Sequence, residues 1–107
     1  MTANLLTEVT ALEAQAAANP FLSEHLPDRF CADDPRFERA SNFWRVPVIL
    51  AYPFIGSVGE VGEVEVDASS SEIVSHTAID QMTACARTLY EEHREAIESA
   101  FSQSRDS

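Results

Sequence analysis

Lysine is absent from this chain. All seven basic residues are Arg, set against 18 Asp and Glu, for a formal net charge of −11 over 107 residues. Affinity for DNA or RNA is built on neutralising phosphates with Lys and Arg. The field of this chain would repel a polyanion, so direct nucleic-acid binding is not expected. Glycine is nearly as scarce: three residues, Gly56, Gly59 and Gly62, all in one stretch. The two cysteines, Cys31 and Cys85, lie far apart and form no CxxC. They read as free thiols rather than a disulfide or a zinc knuckle. No apolar run approaches the roughly 18 residues of a membrane span. The N-terminus has neither a basic n-region nor a continuous apolar h-region. The expectation is a cytoplasmic protein with no membrane segment.

The excess of acid has two readings. One is host composition, in which Arg replaces Lys and acids populate the surface. The other is an acidic face that docks on a basic partner or imitates nucleic acid. Net charge speaks to solubility and association, not to fold.

What is present centres on "PFIGSVGEVGEVEVDASSSEIVSH", from Pro53 to His76. Its glycines fall every third residue, as in a phosphate-cradling loop. A P-loop, however, needs G-x-x-x-x-G-K-[ST] running into a helix. Here there is no Lys, and Glu60, Glu63, Glu65 and Asp67 would repel a phosphate. A GXXG nucleic-acid clamp fails for the same reason. The strand reading accounts for more. Val64, Val66 and Ala68 alternate with Glu63, Glu65 and Asp67, giving one apolar and one acidic face. Val58 and Val61 break that phase, and a bulge near Gly59 or Gly62 restores it. Asp67 to Ser71 reads as a turn, with the Asp side chain bonding backbone donors. Ile73 to Ser75 is a third short strand.

Upstream, "FWRVPVILAYPFI" (43–55) reads as a strand with Trp44, Val46, Val48, Leu50, Tyr52 and Phe54 on one face. Arg45, Pro47, Ile49, Ala51 and Pro53 take the other. Two prolines delete two ladder donors on the same side, which predicts an edge or bulged strand. Arg45, Pro47, Ile49 and Ala51 are then candidates for an interface, through which two copies would pair as a homodimer.

The flanks read as helices. Leu5, Val9, Leu12 and Ala16 share one helical face over 3–18, and Asn19-Pro20 should end that helix. Residues 20–42 read as a connector, with a short helix from Pro35 to about Ser41 capped by Asp34. Thr77 to Asp80 resembles a capping box opening a helix over 77–101. Arg87/Glu91 and Arg94/Glu98 are spaced for i,i+4 pairs on it. Residues 102–107 read as a frayed tail. The fold class is α+β: a three-stranded antiparallel meander over 43–76 with N- and C-terminal helices on one face, in the order α-α-β-β-β-α, within a single domain of 1–107.

Trp44-Arg45-Val46-Pro47-Val48 and the run from Gly62 to Val74 resemble the sheet of PepSY-type domains. There, W-x-V-x-V leads to a G-x-V-x-V-D-A-x-T-G-E-V hairpin. Ser71 stands where that pattern has Gly. The resemblance covers about a third of the chain. It implies a binding or inhibitory role toward protein partners and carries over no catalytic residue. The same run is also similar to small uncharacterised bacterial proteins.

No catalytic constellation is legible. His25, His76 and His93 have no metal-binding spacing, and a zinc site from His76, His93 and Cys85 requires convergence that the sequence does not show. No G-x-S-x-G elbow occurs. No cofactor and no metal are expected. Glu60, Glu63, Glu65 and Asp67 read as a solvated acidic stripe, or as a docking stripe for a basic partner. Trp44 reads as core. The leading expectation is a non-enzymatic protein-binding module. One alternative is an antitoxin-like acidic inhibitor of a basic nuclease or DNA-binding protein. Another is a small-ligand binder or enzyme with a pocket between sheet and helices, using His76 or His93.

Overall fold

The computed structural model describes residues 9–27 and 29–106. Helix α1 (Ala11–His25) comes first. Strands β1 (Phe30–Ala32), β2 (Arg36–Glu38), β3 (Phe43–Tyr52), β4 (Gly56–Asp67) and β5 (Ile73–His76) follow, then helices α2 (Ile79–Glu92) and α3 (Arg94–Asp106). The fold is α+β with an antiparallel sheet. Strands β3, β4 and β5 form the expected meander, but among the described residues the sheet has five strands and the helix order is one before and two after.

The two added strands both pair with β3. β1 lies against Val48 to Leu50, and β2 against Phe43 to Arg45. β4 takes the other side of β3. β3 is therefore central, which corrects the edge-strand expectation for Arg45, Pro47, Ile49 and Ala51. The homodimer expected through that edge has no free β3 edge to use. Pro47 is tolerated for a local reason. Its carbonyl accepts from the Asp33 N–H (2.8 Å), so its missing donor points at the break between β1 and β2, where no ladder bond is owed. Pro53 lies beyond the strand, in the turn where the Ile55 N–H bonds the Tyr52 carbonyl (3.2 Å).

The short helix expected over 35–41 is instead β2 and a tight turn. Arg36, Phe37 and Glu38 pair with Arg45, Trp44 and Phe43, and the Phe37 ring packs tilted against Trp44 with centroids 5.2 Å apart. That pairing outweighs a local Asp-Pro cap signal. Asn42 closes the turn at φ 56°, a conformation Asn adopts at low cost.

β4 carries the expected irregularity twice. The register with β3 shifts between Val48 and Ile49 and again between Leu50 and Ala51, leaving Val61 and Val58 as extra residues. Both glycines beside the shifts face helix α2. A Cβ on Gly59 would meet Leu89 Cδ1 at 2.9 Å, and one on Gly62 would meet Met82 Cγ at 2.7 Å. The missing side chains let α2 lie close on the strand.

The core sits on the even-numbered face of β3. Val46, Val48, Val64 and Val66 are fully buried, and each such side chain contributes about 1.5–3 kcal/mol of transfer free energy. α1 covers this face with Ala14, Ala18 and Leu22, and α2 covers it with Met82 and Ala86. Of the helical face read from Leu5, Val9, Leu12 and Ala16, only Val9 is buried among the described residues, and it precedes the helix. Leu12 is 73% exposed, and Leu5 lies outside the described residues. Ala14 and Ala18 win because small side chains let the helix backbone approach the sheet.

All three helices have ends that differ from expectation. α1 begins at a capping box, Thr10 with Glu13. It then runs through Asn19-Pro20 to His25. Thr77 does not cap α2. Its hydroxyl accepts from the Glu63 N–H (3.0 Å) and its own N–H bonds the Glu63 carbonyl (2.9 Å), so it extends the β4–β5 pairing. Finally, the expected helix over 77–101 is broken at His93, and α3 continues through the expected tail to Asp106. Among the described residues no helix is long and apolar enough to cross a membrane.

Candidate functional site

Two surfaces stand out, one on each face of the sheet. The first is the face that α1 and α2 leave open. The strand period places Arg45, Pro47, Ile49 and Ala51 here, with Cys31 opposite Ile49 and Glu65 opposite Arg45. Glu63 stands opposite Pro47 and Glu60 opposite Ile49. The two groups of residues singled out in the sequence, the acidic stripe and the β3 positions, thus lie side by side.

Arg45 organises this face. Its guanidinium bonds the Glu63 carboxylate and lies 3.5 Å from Glu38 and 3.7 Å from Glu65. Three carboxylates around one cation hold the Arg45 pKa above its ordinary value, Glu63 most strongly, with desolvation opposing. The stripe is consequently not four solvated acids. Glu63 and Glu65 are half-buried beside Arg45, and of the four only Glu60 is exposed. Asp67 serves the turn: its carboxylate accepts from the N–H groups of Ser69 (2.6 Å) and Ser70 (3.2 Å). Pro47, Ile49, Ala51 and Cys31 form a half-exposed apolar strip beside the acids.

The edges of the sheet are partly closed. The Ala32 N–H donates to Asn19 Oδ1 (3.1 Å), and the Ala32 carbonyl accepts from Gln15 Nε2 (2.9 Å). Side chains of α1 thereby satisfy the outward backbone of β1, a common way of blunting a sheet edge.

The second surface is a groove of about 280 Å³ on the helix-bearing side. α1 packs on β1 and β3, and α2 packs on β4. The groove lies beside α2 over the end of β3, with Leu50 and Ala86 in its lining and Phe30, Tyr52 and Tyr90 as aromatic walls. The Tyr52 and Tyr90 rings stand 6.4 Å apart. Arg29 and Arg87 also line it. Arg29 holds its guanidinium 5.4 Å from the Tyr52 ring centre. Tyr90 donates its hydroxyl hydrogen to Glu98 Oε2 (3.1 Å), which raises its pKa; burial of the hydroxyl adds to the shift.

The expected i,i+4 partners divide here. Arg94 meets Glu98 (3.4 Å) as spaced, but Glu91 turns to Arg94 (3.6 Å) rather than to Arg87. Nothing in a linear reading marks this groove, because its walls come from three separated segments, 27–30, 50–52 and 83–90. A groove lies between the sheet and α2, and neither His76 nor His93 lines it.

The histidines are engaged locally. His76 Nδ1 lies 2.8 Å from the Thr77 carbonyl, and its ring packs on Phe21 with centroids 4.7 Å apart. His93 Nδ1 lies 2.9 Å from the Leu89 carbonyl. Among the described residues no three His, Cys, Asp or Glu side chains converge on a metal position, and Cys31 and Cys85 are free thiols. Trp44 packs against the core and donates its indole N–H to the Val9 carbonyl (2.8 Å), as its core reading requires. Compared with family models, curated proteins and solved structures, the chain matches none.

Proposed function

We propose that this chain is a non-enzymatic protein-binding module and that it engages a basic protein partner through the open face of its sheet. One observation carries the reading: an apolar strip of Pro47, Ile49, Ala51 and Cys31 lies on the face opposite the helices, bordered by Glu60, Glu63 and Glu65. Such a strip supplies area to bury, and the carboxylates supply orientation and on-rate toward Arg- or Lys-bearing surfaces. The PepSY-like strand pattern agrees with a binding role. Arg45 already occupies part of the acidic charge, so the partner's cations would sit toward the Glu60 end.

The test is affinity capture from the native host with the wild-type chain, Ile49→Asp and Glu60→Gln/Glu63→Gln, each at low and physiological salt. A basic protein held by the wild type, released by salt and lost from both variants is the expected result. Circular dichroism checks that the variants remain folded. A partner held equally by all three chains, or one indifferent to salt, would overturn the reading.

A further inference from the structure

We propose that the groove between the sheet and α2 binds a small monocarboxylate with an apolar tail, an aryl or short acyl acid. It would be a second site, on the opposite face of the sheet from the partner surface.

The argument begins with charge. The chain has 18 acids and seven arginines, yet among the described residues no acid lines this groove and two arginines do. Arg87 has neither an ion pair nor a hydrogen bond with any described residue, because Glu91 is turned to Arg94. A guanidinium presents a planar fork of donors that matches a carboxylate. Arg29, placed over the Tyr52 ring, sets a second positive charge on the same lining.

Shape limits the tail. A volume of about 280 Å³ is just under the roughly 300–1,000 Å³ of ordinary small-molecule sites. Phe30, Tyr52 and Tyr90 supply aromatic walls around Leu50. The groove therefore suits a single ring or a short chain better than a nucleotide or a long lipid. The net charge of −11 makes the same choice. Repulsion from the whole molecule grows with ligand charge, so a monoanion whose tail gains from burial is favoured over a polyphosphate.

The test is amide-resolved NMR titration of the full chain with phenylpropionate and with hexanoate, repeated with the two corresponding primary amides. Shifts clustered at Phe30, Leu50, Thr83, Ala86 and Tyr90 are expected, with the amides binding at least about tenfold more weakly. Arg87→Gln should weaken carboxylate binding at least about tenfold and leave amide binding unchanged. Arg87 is exposed on α2 and Gln is a good helix former, so this variant keeps the fold, and spectral dispersion reports it directly. No saturable shift with either acid, shifts centred on the open sheet face, amides that bind as well as acids, or an Arg87→Gln chain that binds as wild type would each overturn the proposal. Failure of the groove site leaves the partner reading standing, since the variants that test that reading lie on the other face.

Discussion

Ser71 holds a left-handed backbone at φ 67°, in the turn between β4 and β5. For a residue with a Cβ that conformation costs about 1–2 kcal/mol, a penalty glycine escapes. Ser71→Gly should therefore raise stability by about 0.5–1 kcal/mol, after the entropy glycine adds to the unfolded chain. Chemical denaturation checks it, and a lower midpoint would show that the Ser side chain matters more than the backbone. Tyr90 makes a second residue-scale test. Its bond to Glu98 raises the folded pKa above the ordinary value of 10.0, so the neutral phenol is the form favoured by folding. That contribution is whole below the unfolded value and is lost as pH rises through the folded one. In a Tyr52→Phe background, phenolate absorbance should appear at lower pH when Glu98 becomes Ala. An unchanged titration would mean that the hydrogen bond does not persist in solution.

At the scale of elements, α1 shows where local signals lose to tertiary packing. Asn19-Pro20 has the form of a helix stop, yet the helix continues to His25. Leu22 and Leu26 lie in the core, and Asn19 bonds the Ala32 N–H. These contacts offset the lost helical bond at Pro20, which is exposed. A proline in a helix interior costs about 3 kcal/mol relative to Ala. Pro20→Ala should stabilise the protein by about 1–3 kcal/mol, read as a higher denaturation midpoint; a loss of stability would mean that the Pro ring itself packs. The β-meander was legible because its Val/Glu alternation is strict over Glu63 to Ala68. β1 and β2 were not, since three-residue strands carry too few alternations to register and exist only through pairing with β3. The candidate surfaces followed the same divide. The acidic and apolar positions of the open face could be named from the strand period, but their neighbourhood around Arg45 depended on register. The groove could not be named at all.

Over the whole molecule, charge is the dominant unbalanced quantity. Arg45 and Arg94 engage five carboxylate contacts between them, while most acids are exposed and unpaired among the described residues. Self-repulsion of a −11 chain is screened by salt. The thermal midpoint should therefore rise from low to physiological ionic strength. A fall would mean that the ion pairs around Arg45 and Arg94 outweigh the repulsion. What the sequence by itself determined is the α+β class, the Val64–Val66 core face, the bulged β4, the Asp67 turn and the acidic character, because each is written in a local period or in composition. Tertiary structure alone decided that β3 is central, that Pro20 stays helical, that Thr77 serves the sheet and that Arg29 and Arg87 meet at one groove. Those outcomes depend on which distant segments pack together, and packing free energy shared among several segments leaves no periodic trace in any one of them.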